Sequence, residues 1–175
     1  MGPRRRAREH VVGVISDTHG LIRPQALAAL HGSEHIVHAG DVGAASVLEA
    51  LSAIAPVTAI RGNNDRDAWA RSLPENTAVE IDGTWLYVLH DVHELDLDPR
   101  AAGFAAVIAG HSHKPLIAER QGTLFVNPGS AGPRRFKLPI TVGLLRIGRT
   151  LEAEIIDLTP SLNPRSPSPS TSPRR

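Results

Sequence analysis

Short unbroken apolar runs alternate with amphipathic segments through the first sixty residues. Val11–Ser16, His35–His38 and Val57–Ile60 are too short for helices, and each leads into a polar or glycine-bearing step. Between them, Pro24–His31, with proline in its first turn, and Ala44–Ala53 predict helices. The connections are short. Strand, helix, strand, helix, strand in this order predicts parallel pairing.

The second half has a different rhythm. Thr77–Ile81 and Trp85–Leu89 flank Asp82-Gly83, a strong hairpin signal. Leu95–Gly103 predicts a helix, and Ala105–Ala109 a buried strand. Leu116–Arg120, Thr123–Val126, Thr141–Ile147 and Leu151–Asp157 follow, with turns at Gln121-Gly122 and Gly148-Arg149. This end predicts an antiparallel meander. The expected fold class is α/β, a two-sheet sandwich flanked by helices. No internal repeat is present.

Length and composition narrow the picture. A chain of 175 residues with 41% hydrophobic residues suits one domain with a real core. No apolar run nears the roughly 18 residues that span a bilayer. Cysteine is absent, which removes disulfides and thiolate metal sites and makes the cytoplasm the expected location. Residues 1–9 read as a basic flexible arm, 10–158 as the domain, and 159–175 as a disordered tail rich in proline and serine. Each end carries a charge of +3. With a net charge of +1 overall, the body is therefore −5. An acidic body argues against a nucleic-acid-binding face.

Seven oxygen and nitrogen donors lie in five clusters along the body. These are Asp17-Thr18-His19, Gly40-Asp41, Gly62-Asn63-Asn64-Asp65, His90 and Gly110-His111-Ser112-His113. Three of the clusters follow the first three strands, where open α/β sheets build their sites. The donor set is oxygen and imidazole, which suits hard or borderline divalent cations. Each cluster alone also has a plainer reading. Asp17 could begin an Asx turn, Asp41 could cap the next helix, and Asn63-Asn64 could supply a left-handed turn. In the histidine pair, extended backbone would send His111 and His113 the same way. Asp65 is expected to orient a neighbour rather than bind a cation. Asn127-Pro128-Gly129-Ser130 reads as loop support near the site. His10, His31, His35 and His38 read as structural. His93 could reach the site or be solvated.

In this order, D-x-H, G-D, G-N-x-D, H and G-H-x-H resemble the calcineurin-like metallophosphoesterase superfamily, and in compactness its small single-domain phosphodiesterases. The resemblance runs from about Val11 to Asp157. It implies a four-layer sandwich and a dinuclear-metal-dependent phosphoesterase, most often a phosphodiesterase, that acts through metal-activated hydroxide. Asp17, His19, Asp41 and His113 would hold one divalent ion. Asp41, Asn63, His90 and His111 would hold the other, with Asp41 bridging. Mn²⁺ is the expected ion, with Ni²⁺, Fe²⁺, Zn²⁺ and Mg²⁺ as alternatives. The implied partner is a phosphate ester, with no membrane and no nucleic acid; a dimer is compatible with the sequence.

Two departures stand out. Family members often carry histidine after the motif asparagine, where it is thought to protonate the leaving group. Here that position is Asn64, which leaves Asp41, Asn64 and His93 as the catalytic candidates. The family also favours glycine after the ligand histidine, where this chain has Asp91. The alternative function is a catalytically weak or inactive scaffold of the same fold that acts through protein binding.

Overall fold

The computed structural model describes residues 8–159. Most of the expected arm and nearly all of the expected tail lie outside that range. Two five-stranded mixed sheets face one another. The first holds β1 (His10–Ile15), β2 (His35–His38), β3 (Val57–Ala59), β9 (Thr141–Ile147) and β10 (Leu151–Asp157), in the order β10-β9-β1-β2-β3. The second holds β4 (Asn76–Ile81), β5 (Thr84–Leu89), β6 (Ala106–Ile108), β7 (Leu116–Arg120) and β8 (Thr123–Asn127), in the order β4-β5-β6-β8-β7.

The first half folds as its pattern predicts. β1, β2 and β3 pair in parallel. Helices α1 (Pro24–Leu30) and α2 (Ala45–Ser52) cross on one face of the first sheet. Ala26, Leu30, Val47 and Leu51 bury their apolar stripe against Ile15, Ile36 and Val142. The opposite face of that sheet supplies Val12, Val14, Val37 and Leu145 to the central core. There they meet Leu86, Val88, Ala106, Ile108 and Val126 from the second sheet. Alternation along each strand sorts the two faces, because successive side chains point to opposite sides.

Two expectations need correction. The four late strands do not form one meander. β7 and β8 make a hairpin in the second sheet, and β8 then runs parallel to β6. β9 and β10 make another hairpin, which returns to the first sheet with β9 antiparallel to β1. Both hairpins are local and legible, but which sheet each joins is decided by distant partners. The expected helix at Leu95–Gly103 is also absent. A 3₁₀ turn spans Val92–Glu94, and residues 98–103 form turns. Pro99 disfavours helix at Asp98. The Asp98 carboxylate accepts from the Arg100 and Ala101 amides, and Gly103 ends the turn at φ 85°. This irregular segment forms the outer layer over Tyr87 and Leu89.

The topology aims the site. β1, β2 and β3 are mutually parallel, as are β5, β6 and β8. The loops after β1, β2, β3, β5 and β6 carry all seven candidate donors, and Asn127 ends β8.

The fully buried Ile108 lies between the sheets, whereas Ile117 is 40% exposed on edge strand β7. Ile108→Ala should cost about 2–5 kcal/mol in urea unfolding. Ile117→Thr should cost less than about 1 kcal/mol. Equal losses would mean that the core is misplaced.

Candidate metal centre

The loop after β1 turns sharply. Asp17 and His19 both adopt left-handed backbone, with φ of 55° and 48°. Asp41, His111 and His113 do so too, at 52°, 65° and 58°. Non-glycine residues seldom hold this conformation, and five of the seven candidates hold it here. The expectation of extended backbone at His111-Ser112-His113 is therefore corrected. Asn63 and Asn64 lack positive φ, so the left-handed turn reading fails there. Helix α2 begins after Ala44 with no side-chain cap, so Asp41 is not a capping residue.

Hydrogen bonds hold these loops together. Asp65 accepts from the amides of Val42, Gly43 and Gly62 at 2.9–3.0 Å. It thereby clamps the Asp41 loop to the Asn63 loop, the orienting role expected of it. Ser16 Oγ donates to Asp17 Oδ2 at 2.7 Å, and the His111 amide donates to the same oxygen at 3.1 Å. Ser130 Oγ donates to the Asp17 carbonyl, and Asn127 Nδ2 to the Gly110 carbonyl. The Asn127–Ser130 turn is thus loop support, as its sequence suggested. Glycine permits the closeness: a Cβ on Gly40 would lie 2.6 Å from His90 Nδ1, and one on Gly110 would collide with Ser16 Oγ.

These supports leave lone pairs facing inward. His90 Nδ1 lies 2.7 Å from the Ala39 carbonyl, which can only accept. Nδ1 therefore carries hydrogen, and in the neutral ring Nε2 presents its lone pair. His90 Nε2 is 3.4 Å from Asp41 Oδ2 and 3.9 Å from Asp17 Oδ1. His113 Nε2 is 3.2 Å from Asp17 Oδ1, and His19 Nε2 is 3.9 Å from Asp41 Oδ2. The rings pair as His19 with His113 and His90 with His111, their centroids 5.5 and 5.2 Å apart. Among the described residues, Asp17 Oδ1, His19 Nε2, His90 Nε2 and His113 Nδ1 are buried and lack a hydrogen-bond partner. Unpartnered buried polar atoms are costly and rare, so four in one place call for an occupant. Oxygen and imidazole donors at this spacing fit divalent cations.

Two triads have the reach to share an ion: Asp17, His19 and His113, and Asp17, Asp41 and His90. Asp17 belongs to both triads and Asp41 to one, although Asp41 Oδ2 also lies between His90 and His19; the sequence reading singled out Asp41 alone. Asn63 and His111 lie at the exposed rim, with Asn63 Oδ1 3.2 Å from His111 Nδ1. Asn64 donates its amide and its side chain to Asp41, at 2.9 and 2.7 Å. His93 is exposed, with Nδ1 2.8 Å from Asp91 Oδ1. Asp91 Oδ2 is 3.6 Å from His111 Nε2.

Burial works against charge on both Asp41 and His90, yet their mutual contact prevails. With help from Asn64, the Asp41 carboxyl sits well below the ordinary carboxylate range. Asp41, the Ala39 carbonyl and Asp17 lift His90 to about 8. Burial dominates at His19 and lowers it; Asp41 and Asp17 oppose this, and Arg135 adds to it.

A family model described as the calcineurin-like phosphoesterase superfamily domain matches residues 11–150. The chain belongs to this superfamily. A protein named "Probable metallophosphoesterase" from Methanothermobacter thermautotrophicus is 35% identical over 83% of this chain and 91% of its own length. A phosphodiesterase from Methanocaldococcus jannaschii is 26% identical over 83% of this chain and 98% of its own length. The solved structure of vacuolar protein sorting 29 from Cryptosporidium parvum shares the fold. Its TM-score is 0.74 at 21% identity, over 87% of this chain and 93% of that one. Among the described residues, no helix of this phosphoesterase domain is long and apolar enough to cross a membrane.

The sequence reading missed part of the supporting shell. Arg135, far along the chain, acts on His19 by charge, and no local signal marks it. His38 was taken as structural, and it anchors Thr18 between Asp17 and His19. The Thr18 hydroxyl donates to the Val42 carbonyl, so it must accept from His38 Nε2 at 2.9 Å. His38 Nδ1 then accepts from the Gly40 amide. This neutral tautomer is fully committed, and burial pushes the ring down to about 4. The unfolded ring titrates near 6.5. Its contribution is therefore complete above about pH 6.5 and is lost as pH falls through the folded value near 4. His38→Gln should flatten the loss of stability between pH 7 and pH 5 by roughly 1–2 kcal/mol. Parallel slopes for the variant and the parent in urea melts would refute this role.

Proposed function

We propose that this phosphoesterase domain is a dinuclear-metal-dependent phosphodiesterase. The observation that carries the reading is the convergence of four buried, unpartnered donor atoms at the meeting point of both sheets. Asp17, His19, His113 and Asp41 would hold one ion, and Asp41, Asn63, His90 and His111 the other. Two such ions would lower the pKa of a bound water and neutralise charge building on the phosphoryl group. The protein contributes position and charge. Asp17 offers Oδ1 because Ser16 and His111 occupy Oδ2. His90 offers Nε2 because Ala39 holds Nδ1. Asn64 fixes the Asp41 carboxylate and carries no transferable proton, so His93 is the group we assign to protonate the leaving oxygen. The Asp91 carboxylate beside it would keep the ring oriented. Mn²⁺ is the ion we favour, with Ni²⁺, Fe²⁺, Zn²⁺ and Mg²⁺ behind it. We also infer a cytoplasmic location from the cysteine-free sequence.

A second reading, a scaffold acting through protein binding, is supported by Asn64, which places an amide where many relatives place an acid. The shared fold with vacuolar protein sorting 29 agrees with either reading.

Hydrolysis of an aryl phosphodiester and an aryl phosphomonoester, with Mn²⁺ added, separates the two. The diester should turn over, and Asp41→Ala and His111→Ala should each lower kcat at least 100-fold. If the metal-loaded protein turns over neither ester, the scaffold reading prevails. Metal binding is read independently. Mn²⁺ at about 100 times its Kd should stabilise the parent by about 2.7 kcal/mol, and Asp41→Ala should lose most of that shift. An equal shift in the variant would place the ion elsewhere.

A further inference from the structure

A cavity of about 440 Å³ lies on the outer face of the second sheet and meets the metal centre at His111 and Asp91. It exists because the 92–104 segment is irregular and covers only part of that face. Val107 from β6, Ala109 just after it and Phe125 from β8 form its floor, and Leu116 from β7 forms one wall. Its volume falls within the range of small-molecule sites, and its apolar floor with polar groups at one end matches their usual chemistry. The Arg120 guanidinium stacks 5.0 Å over the Phe125 ring and holds it in place. His93 and Lys114 stand at the rim. A second cavity of about 260 Å³, lined by Asn63, His90 and Glu94, shares only Asp91 and His111 with the first. The two cavities therefore join at the rim of the centre, one polar and one apolar.

We propose that the apolar cavity receives the alcohol or phenol portion of the phosphate ester, and that the substrate carries a rigid apolar group about the size of a naphthyl ring. This rests on the phosphoesterase reading, since the phosphoryl group must sit at the centre for its ester substituent to enter beside His111. The placement also gives Asp91 a purpose. Its carboxylate lies between His93 and His111 and sets His93 at the cavity mouth, next to the oxygen that leaves with the apolar group.

Calorimetric titration with 2-naphthyl phosphate, methyl phosphate and 2-naphthol, on protein with and without Mn²⁺, tests the assignment. Two variants accompany the parent: Phe125→Ala, which opens the floor, and Leu116→Glu, which puts charge on a 45% exposed wall residue. The parent should bind 2-naphthyl phosphate on the order of 10-fold or more tightly than methyl phosphate. Both variants should bring the two ligands within about 2-fold, with methyl phosphate affinity and the Mn²⁺-induced thermal shift unchanged. Binding of 2-naphthol to the metal-free parent, weakened in both variants, would support the cavity even if no ester were hydrolysed. The assignment is overturned if the parent holds the two phosphates equally, or if the variants keep the preference. Turnover of a methyl aryl diester with no naphthyl preference would leave the hydrolase standing and remove the cavity from it.

Discussion

Two carboxylates, Asp17 and Asp41, are buried within reach of the same His90 ring, and most of the surrounding structure answers the electrostatic problem they create. Burial takes both away from water, and like charges this near repel. The chain supplies Ser16 and backbone amides to Asp17, and Asn64 and His90 to Asp41. At Asp17 they occupy Oδ2 and leave Oδ1 facing histidine nitrogens; at Asp41 Asn64 reaches both oxygens, and Oδ2 also faces His90 and His19. The residual negative field is what makes the place attractive to cations. Left-handed backbone at five donors is part of the same arrangement, because only sharp turns let five loops bring their side chains together.

The support of the centre is divided between the sheets. His90 comes from the second sheet, yet its orienting partner, the Ala39 carbonyl, belongs to the first. Asp17 leaves the first sheet and accepts from His111, which leaves the second. Disruption of the sheet-to-sheet core would therefore misplace donors before it unfolded either sheet. The clamp of Asp65 across two loops and the buried His38–Thr18 pair serve the same end within the first sheet. None of these groups has to touch a substrate.

The two departures from the family pattern acquire physical roles once the loops are assembled. Asn64 is bound to Asp41 through both its amide and its side chain, a structural use that forgoes proton transfer. Asp91 links an exposed histidine to the rim of the centre. Both changes fit the function proposed above, in which His93 takes the proton-donor role and the leaving group sits on the open side of the centre.

Much of the fold was legible in the chain. Strand–helix alternation in the first half, the Asp82-Gly83 hairpin and the late paired strands follow from local apolar periodicity and turn chemistry, which act over a few residues. The donor types and their positions after strands were equally legible, since they depend on residue identity and strand ends alone. The sheet that each late hairpin joins was not, because that choice rests on contacts such as β9 beside β1, more than a hundred residues apart. The missing helix over the second sheet turned on Pro99 and the Asp98 turn, which outweigh an otherwise helical stretch. Which oxygen of Asp17 stays free, which nitrogen of His90 carries hydrogen, and where the apolar cavity opens are settled only when distant carbonyls, hydroxyls and strand faces meet. Local composition determined what chemistry the chain can hold; long-range packing decided where each lone pair points.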